Sequence, residues 1–254
     1  MSEISNILNE FEAITLGEMD SVKLMDRTDT KFVFSSAELP SILSQLPADY
    51  KVLEINNARI SKYESLYFDT PSFDLYHKHQ SGKLNRYKIR FRRYVESNLN
   101  FFEVKFKNNK GRTIKNRIKQ EEIFRTIQNQ AQELLNDKTD LLSENLEPKI
   151  WVNYSRITLV NKMTPERVTI DLNLHYKKNE VVKYIENLII AEVKQDGISA
   201  SPFMKLMKKH HIRQGSISKY CFGIITFFEK IKQNNFKPKL LTIKKITHVA
   251  ITNR

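Results

Sequence analysis

Charge and apolarity alternate with a period of two through several successive segments of this chain, which narrows its folds sharply. In Arg86–Tyr94, Arg86, Lys88, Arg90 and Arg92 alternate with Tyr87, Ile89 and Phe91. In Phe101–Lys107, Glu103, Lys105 and Lys107 alternate with Phe102, Val104 and Phe106, and in Thr113–Lys119, Lys115, Arg117 and Lys119 alternate with Ile114 and Ile118. Further on, Arg167, Thr169 and Asp171 oppose Val168, Ile170 and Leu172, while Glu192 and Lys194 share a face with Ile190 against Ala191 and Val193. Side chains of a strand point alternately to its two faces, so each segment predicts a strand with one apolar and one charged face.

The central hairpin tests the register. Pairing Phe106 with Ile114 and Phe102 with Ile118 joins the apolar faces and sets Lys105 opposite Lys115 and Glu103 opposite Arg117. It needs an odd-length connection, with Gly111 in a left-handed conformation. Like charges directly opposite repel: at ~5 Å and an effective dielectric of ~20 the cost is about 3 kcal/mol per pair. A sheet face meant only for water could use Thr or Gln. Half-exposed strands with polar residues facing water are the plain alternative. A dense basic face is easier to understand if an anion occupies it, with helices on the apolar outside and a barrel closed around the basic face.

Composition agrees. Forty-two Lys and Arg stand against 29 Asp and Glu in 254 residues, a net charge of +13 that selects for anionic partners. A hydrophobic share of 40% excludes disorder of the whole chain. The single cysteine, Cys221, excludes an internal disulfide framework and a Cys-rich zinc site. No apolar run approaches the ~20 residues of a membrane-spanning helix, and Met1–Ile14 lacks the order of a secretory signal. These features lead us to expect a soluble, cytoplasmic protein. His77 and His79, two apart on a predicted helix, cannot share a metal well, and the common glycine-rich nucleotide cradles are absent.

Residues 1–23 predict a short amphipathic helix on the body, through Ile4, Ile7, Leu8, Phe11 and Ile14. Strands are expected near 31–34, 61–69, 86–94, 101–107, 113–119, 150–160, 167–174 and 187–194. Helices are expected over 35–46, 73–76, 120–136, 202–210 and 218–232. Residues 24–232 then form one domain, and 233–254 a basic extension.

The run SLYFDTPSFDLYHKHQSGKLNRYKIRFRRY (Ser65–Tyr94), followed by FFEVKFK (Phe101–Lys107), resembles the VTC domain, the polyphosphate polymerase branch of the triphosphate tunnel enzymes. RTDTKFVF, RVTIDLNL, IIAEVK and ISKYCFG continue the resemblance in order, over roughly Leu24 to Lys232. It implies an α+β fold: a closed, antiparallel, eight-stranded β-barrel with helices packed outside. It also implies transfer of the γ-phosphoryl group of ATP to a growing polyphosphate chain inside the barrel. The residues it makes catalytic are Arg90, Arg92, Lys105, Lys115, Arg156, Arg167 and Lys219. Lys31, Arg27, Lys88, Arg117 and Lys194 would bind substrate, although Lys88, like Lys107, lies at a strand end where exposure to solvent is the simpler reading. Glu192 would hold Mn2+ or Mg2+, with Glu103 and Asp171 either assisting or only neutralising neighbouring lysines. ATP and polyphosphate are the expected partners, nucleic acid is not, and a membrane protein partner would put the chain at the inner membrane face. The E-x-E-x-K signature of many tunnel enzymes is replaced by Arg27-x-Asp29-x-Lys31. The alternatives are hydrolysis of tripolyphosphate or nucleoside triphosphates in the same tunnel, and polyanion binding without catalysis.

Overall fold

A computed structural model describes residues 2–21, 27–196 and 200–248. Helix α1 (Ser2–Asn9), strand β1 (Glu12–Ile14) and helix α2 (Leu16–Ser21) precede β2 (Arg27–Ser35), α3 (Leu39–Leu43), β3 (Tyr50–Leu53) and β4 (Ser61–Asp69). Next come α4 (Asp74–Gln80), β5 (Arg86–Tyr94), β6 (Leu99–Lys107), β7 (Thr113–Gln120) and α5 (Asn129–Lys138). The long strands β8 (Glu147–Asn161) and β9 (Glu166–Lys178) follow, with β10 (Val181–Tyr184) and β11 (Leu188–Asp196). Helices α6 (Pro202–Lys209), α7 (Lys219–Phe227) and α8 (Lys237–Thr247) complete the chain as described.

The strands form one eleven-stranded sheet whose main path is β2-β11-β9-β8-β4-β5-β6-β7, antiparallel throughout. Strand β3 pairs with β8 and carries β1 in parallel, and β10 extends the end of β9. The expected eight strands are thus the spine of the sheet, but the expected closure is not found. Among the described residues β2 and β7 are ends of the path and do not pair with each other. The outer edge of β2 is taken instead by the segment leading to α7: Gln214 bridges to Phe32, and the Gly215 amide donates to the Lys31 carbonyl at 2.9 Å.

The predicted register holds residue for residue. Phe106 faces Ile114, Phe102 faces Ile118, Lys105 faces Lys115 and Glu103 faces Arg117. Gly111 has φ +76°, and the Asn108 side chain accepts the amides of Lys110 and Arg112, closing a five-residue turn, Asn108–Arg112. The helix expected over 120–136 begins only at Asn129, because Gln120 is still paired to Asn100 in the ladder.

One sheet face carries two apolar clusters, with Lys62, Glu64, Arg93, Asn153 and Ser155 in phase between them. Phe32, Phe34, Ile157, Leu159, Val168, Ile170, Ala191 and Val193 pack under α1, α3 and α6, and Leu66, Phe68, Ile89, Phe91, Phe102 and Val104 pack under α5. The other face changes character along the strands. Ile150, Val152, Leu174, Tyr176, Leu188 and Ile190 are apolar and covered by Tyr220, Cys221, Phe222, Ile224 and Ile225 of α7. Helix α7 therefore lies on the inner face, not outside as expected. A bulge makes this possible. Between Asn153 and Ser155 the β8–β9 register shifts by one, and Asn173 takes up the extra residue with φ +55°. Asp171 and Leu174, three apart, thereby come to the same face.

Candidate functional site

The charged end of the inner face gathers side chains from strands that the ladder sets in line. Cross-strand pairing puts Lys31 opposite Glu192, Lys194 opposite Arg167, Asp171 opposite Arg156, Ser65 opposite Arg92, Tyr67 opposite Arg90, and Arg90 opposite Glu103. These residues condense into ion-paired clusters around single carboxylates.

The first is built on β5, β6 and β7. Arg90 is 4% exposed and Glu103 is fully buried. The Arg90 Nε donates to Glu103 at 2.6 Å, a second guanidinium nitrogen is ion-paired to the same oxygen, and the third donates to the Tyr67 hydroxyl at 2.6 Å. The Lys115 Nζ lies 2.5 Å from the other carboxylate oxygen. Arg92 donates to Ser65 at 3.1 Å, with its guanidinium over the rings of Tyr63, Tyr94 and Tyr154. Burial alone would raise the Glu103 carboxyl, but Arg90, Arg92, Lys115 and Lys105 hold it well below the carboxylate range. Lys105 has the opposite problem: Arg90 first, then burial and Arg92, push its ammonium far below a normal lysine. One carboxylate cannot balance this many cations.

The second cluster joins the sheet to α7. Arg156 grips Asp171 with two nitrogens, at 2.5 and 2.9 Å, and Lys219 reaches the same carboxylate at 2.6 Å. The rings of Tyr63 and Tyr154 lie beneath the Arg156 guanidinium, and Tyr154 also underlies Lys219. Burial opposes the charge on Asp171, and Arg156 and Lys219 overcome it, leaving the carboxyl far below its usual range. Ser218 caps α7 through the Cys221 amide and accepts from Lys88 at 3.1 Å. Lys88 is therefore half-buried against the start of α7 and not a solvated strand end.

The third group stands at β2 and β11. Lys31 lies 2.5 Å and Lys194 3.2 Å from Glu192, whose side chain is 20% exposed. Burial would raise this carboxyl, but Lys194 and Lys31 bring it down to about 2.

The remaining residues are more peripheral. Arg167 is half-buried, shares the face, and turns to the Met19 carbonyl of α2 at 3.4 Å. Arg117 is exposed over the Phe101 ring. Arg27 lies in β2 opposite Asp196, but its side chain falls outside the described residues.

Glu192, Glu103 and Asp171 do not converge as a metal-binding set: no three Asp, Glu, His or Cys are arranged around one position among the described residues. Glu103 is ion-paired to Arg90 and Lys115, and Asp171 to Arg156 and Lys219. Glu192 is the more open of the three. A magnesium-type ion uses one or two carboxylates and completes its shell with substrate phosphates and water, a demand Glu192 fits.

The sequence reading passed over the aromatic floor. Tyr63, Tyr67, Tyr94 and Tyr154 lie under or beside the cations, and the S-x-Y-x-S-x-Y alternation of β4, Ser61 to Tyr67, was its signal. It also passed over Asp69, fully buried, which accepts the amides of Thr70, Leu75 and Tyr76 and the Tyr220 hydroxyl. That carboxyl ties the β4–α4 corner to α7 and holds Tyr220 stacked on Tyr67.

A cation-lined inner face on an antiparallel sheet of this order defines an α+β protein with one strongly anion-attracting sheet face. The VTC domain model matches residues 26–228, and the chain belongs to that family. Among solved structures, a candidate adenylyl cyclase from Hippeastrum, described as having a dominant triphosphatase activity, superposes with a TM-score of 0.50 at 12% identity over 78% of this chain and 95% of its own. A candidate adenylate cyclase from Bacillus halodurans gives 0.48 at 17% identity, over 80% of this chain and all of its own. No curated protein sequence matches the chain.

Proposed function

We propose that the charged end of the inner face binds a triphosphate and that the protein is a metal-dependent polyphosphate polymerase using ATP. The observation that carries this reading is the crowding of Arg90, Arg92, Lys105 and Lys115 about one carboxylate, with Lys105 forced far below a normal lysine. Such an arrangement is costly alone and favourable once an anion of high charge enters.

Phosphoryl transfer asks for positioning and charge neutralisation more than for covalent chemistry. Arg90 and Arg92 offer planar two-point contact to phosphate oxygens, while Lys105, Lys115 and Lys219 offer compact charge. Arg156 is committed to Asp171, whose carboxylate also holds Lys219 in place. The acceptor's terminal phosphate oxygen attacks the γ-phosphorus as the bond to the β-phosphate bridge breaks, and ADP leaves with that electron pair. Such an oxygen is already largely anionic at neutral pH, since its second pKa is about 6, so no general base is required. Mn2+ or Mg2+ at Glu192 would supply further neutralisation of the triphosphate.

The same lining serves a triphosphatase if water takes the acceptor's place. The openness of the site at β7, where the Lys115 side chain is 33% exposed, favours that second reading. Incubation with ATP and Mn2+ followed by gel electrophoresis separates them. A ladder of long chains is the expected result; free phosphate alone would establish the hydrolase, and neither product would refute catalysis.

A further inference from the structure

We propose that Phe101 and Arg117 form a stacking platform for the nucleobase of the substrate at the β6–β7 margin of the site; this rests on the triphosphate reading above. Phe101 is an aromatic residue of β6 on the charged face, two residues from Glu103, and it pairs across the ladder with Arg92 on one side and Lys119 on the other. It is half-buried, and the exposed Arg117 guanidinium lies over its ring at 4.5 Å from the centroid. Tyr94 meets the ring edge-on at 5.8 Å.

Among the described residues Arg117 forms no ion pair, and the Phe101 ring is its contact. That distinguishes it from Lys115, its near neighbour on the same face, which is held by Glu103. A guanidinium plane and an aromatic ring at the rim of a phosphate site present flat, polarisable surfaces of the kind on which heteroaromatic bases stack. The phosphates would lie deeper, toward Arg90 and Lys105, and the base outward. Stacking does not read base edges, so the platform takes any nucleobase, the larger purines best. It gives the site a preference for a nucleoside triphosphate over bare tripolyphosphate.

The test compares ATP and tripolyphosphate binding, by calorimetry on the full chain, in wild type, Phe101→Leu and Phe101→Trp. Leucine keeps apolar bulk and removes the ring. The proposal expects Phe101→Leu to weaken ATP about tenfold, with tripolyphosphate within about twofold of wild type and with Phe101→Trp retaining ATP affinity. An unchanged ratio of the two affinities in Phe101→Leu overturns the platform while leaving the phosphate site intact, and so does a parallel loss of both ligands. Wild-type protein that binds neither ligand overturns the triphosphate reading, and the platform falls with it.

Discussion

Arg90 and Arg92 are two residues apart on one strand face, yet their removal has different consequences. Arg90→Ala strips a fully buried Glu103 of its principal partner, so it should cost about 3–5 kcal/mol of stability as well as function. Among the described residues Arg92 is held by Ser65 and tyrosine rings, with no carboxylate ion-paired to it. Arg92→Ala should therefore keep its unfolding midpoint nearly unchanged while turnover of ATP falls about 100-fold or more; turnover within a fewfold of wild type would remove Arg92 from the site. Lys105 makes a second prediction, in pH. Its folded pKa is depressed, chiefly by Arg90, so between that value and the ordinary 10.5 the unfolded chain holds a proton that the folded chain lacks. The ligand-free fold thus gains stability as pH rises through this window. A bound polyanion restores the charge, so tripolyphosphate binding takes up a proton and weakens over the same rise in pH. Calorimetry in buffers of differing ionisation heat should show that uptake, and Lys105→Arg, permanently charged, should reduce it, the ammonium groups of Lys115 and Lys88 being depressed by burial as well.

At the level of elements, what could be read in advance depended on whether a strand kept its phase. The β6–β7 hairpin did: over 102–107 and 114–119 its faces separate apolar from charged side chains, Asn116 excepted, and the pairs came out as the alternation required. Strand β9 does not. Simple alternation puts Asn173 and His175 beside Asp171, whereas the bulge brings Leu174 and Tyr176 there and creates the apolar bed for α7. The short strands β3 and β10 escaped notice because they are four residues each and owe their existence to neighbours already in the sheet. Helix α7 comes so close to that bed that a methyl group on Gly223 would stand 2.8 Å from the Tyr176 ring and 3.2 Å from Ile150. Gly223→Ala should push the helix outward, at a cost of about 1–3 kcal/mol. Because Lys219 begins this helix, affinity for tripolyphosphate should fall with stability. A variant with wild-type stability and affinity would mean that α7 is not fixed by this contact.

For the whole molecule, the charge pattern revealed which face carries cations but not whether the sheet closes, since closure depends on contacts between the chain's most distant strands. Among the described residues β7 keeps an unpaired edge, and its cations Lys115, Arg117 and Lys119 remain partly or wholly exposed. The uncompensated charge is a burden on the free protein, which a polyanion would lift. Ligand that binds only the folded state at 100 times its dissociation constant adds about 2.7 kcal/mol. For a chain of this size that corresponds to a rise in melting temperature of roughly 5–10 °C. Tripolyphosphate should give this shift at low salt, and raising ionic strength should erode it as counterions screen the exposed part of the site. Orthophosphate at equal concentration should do far less, because one phosphate cannot span the cations on β5, β6 and β7 together. Equal shifts from both anions in a melting titration would indicate a diffuse basic surface in place of a site built for a linked chain of phosphates.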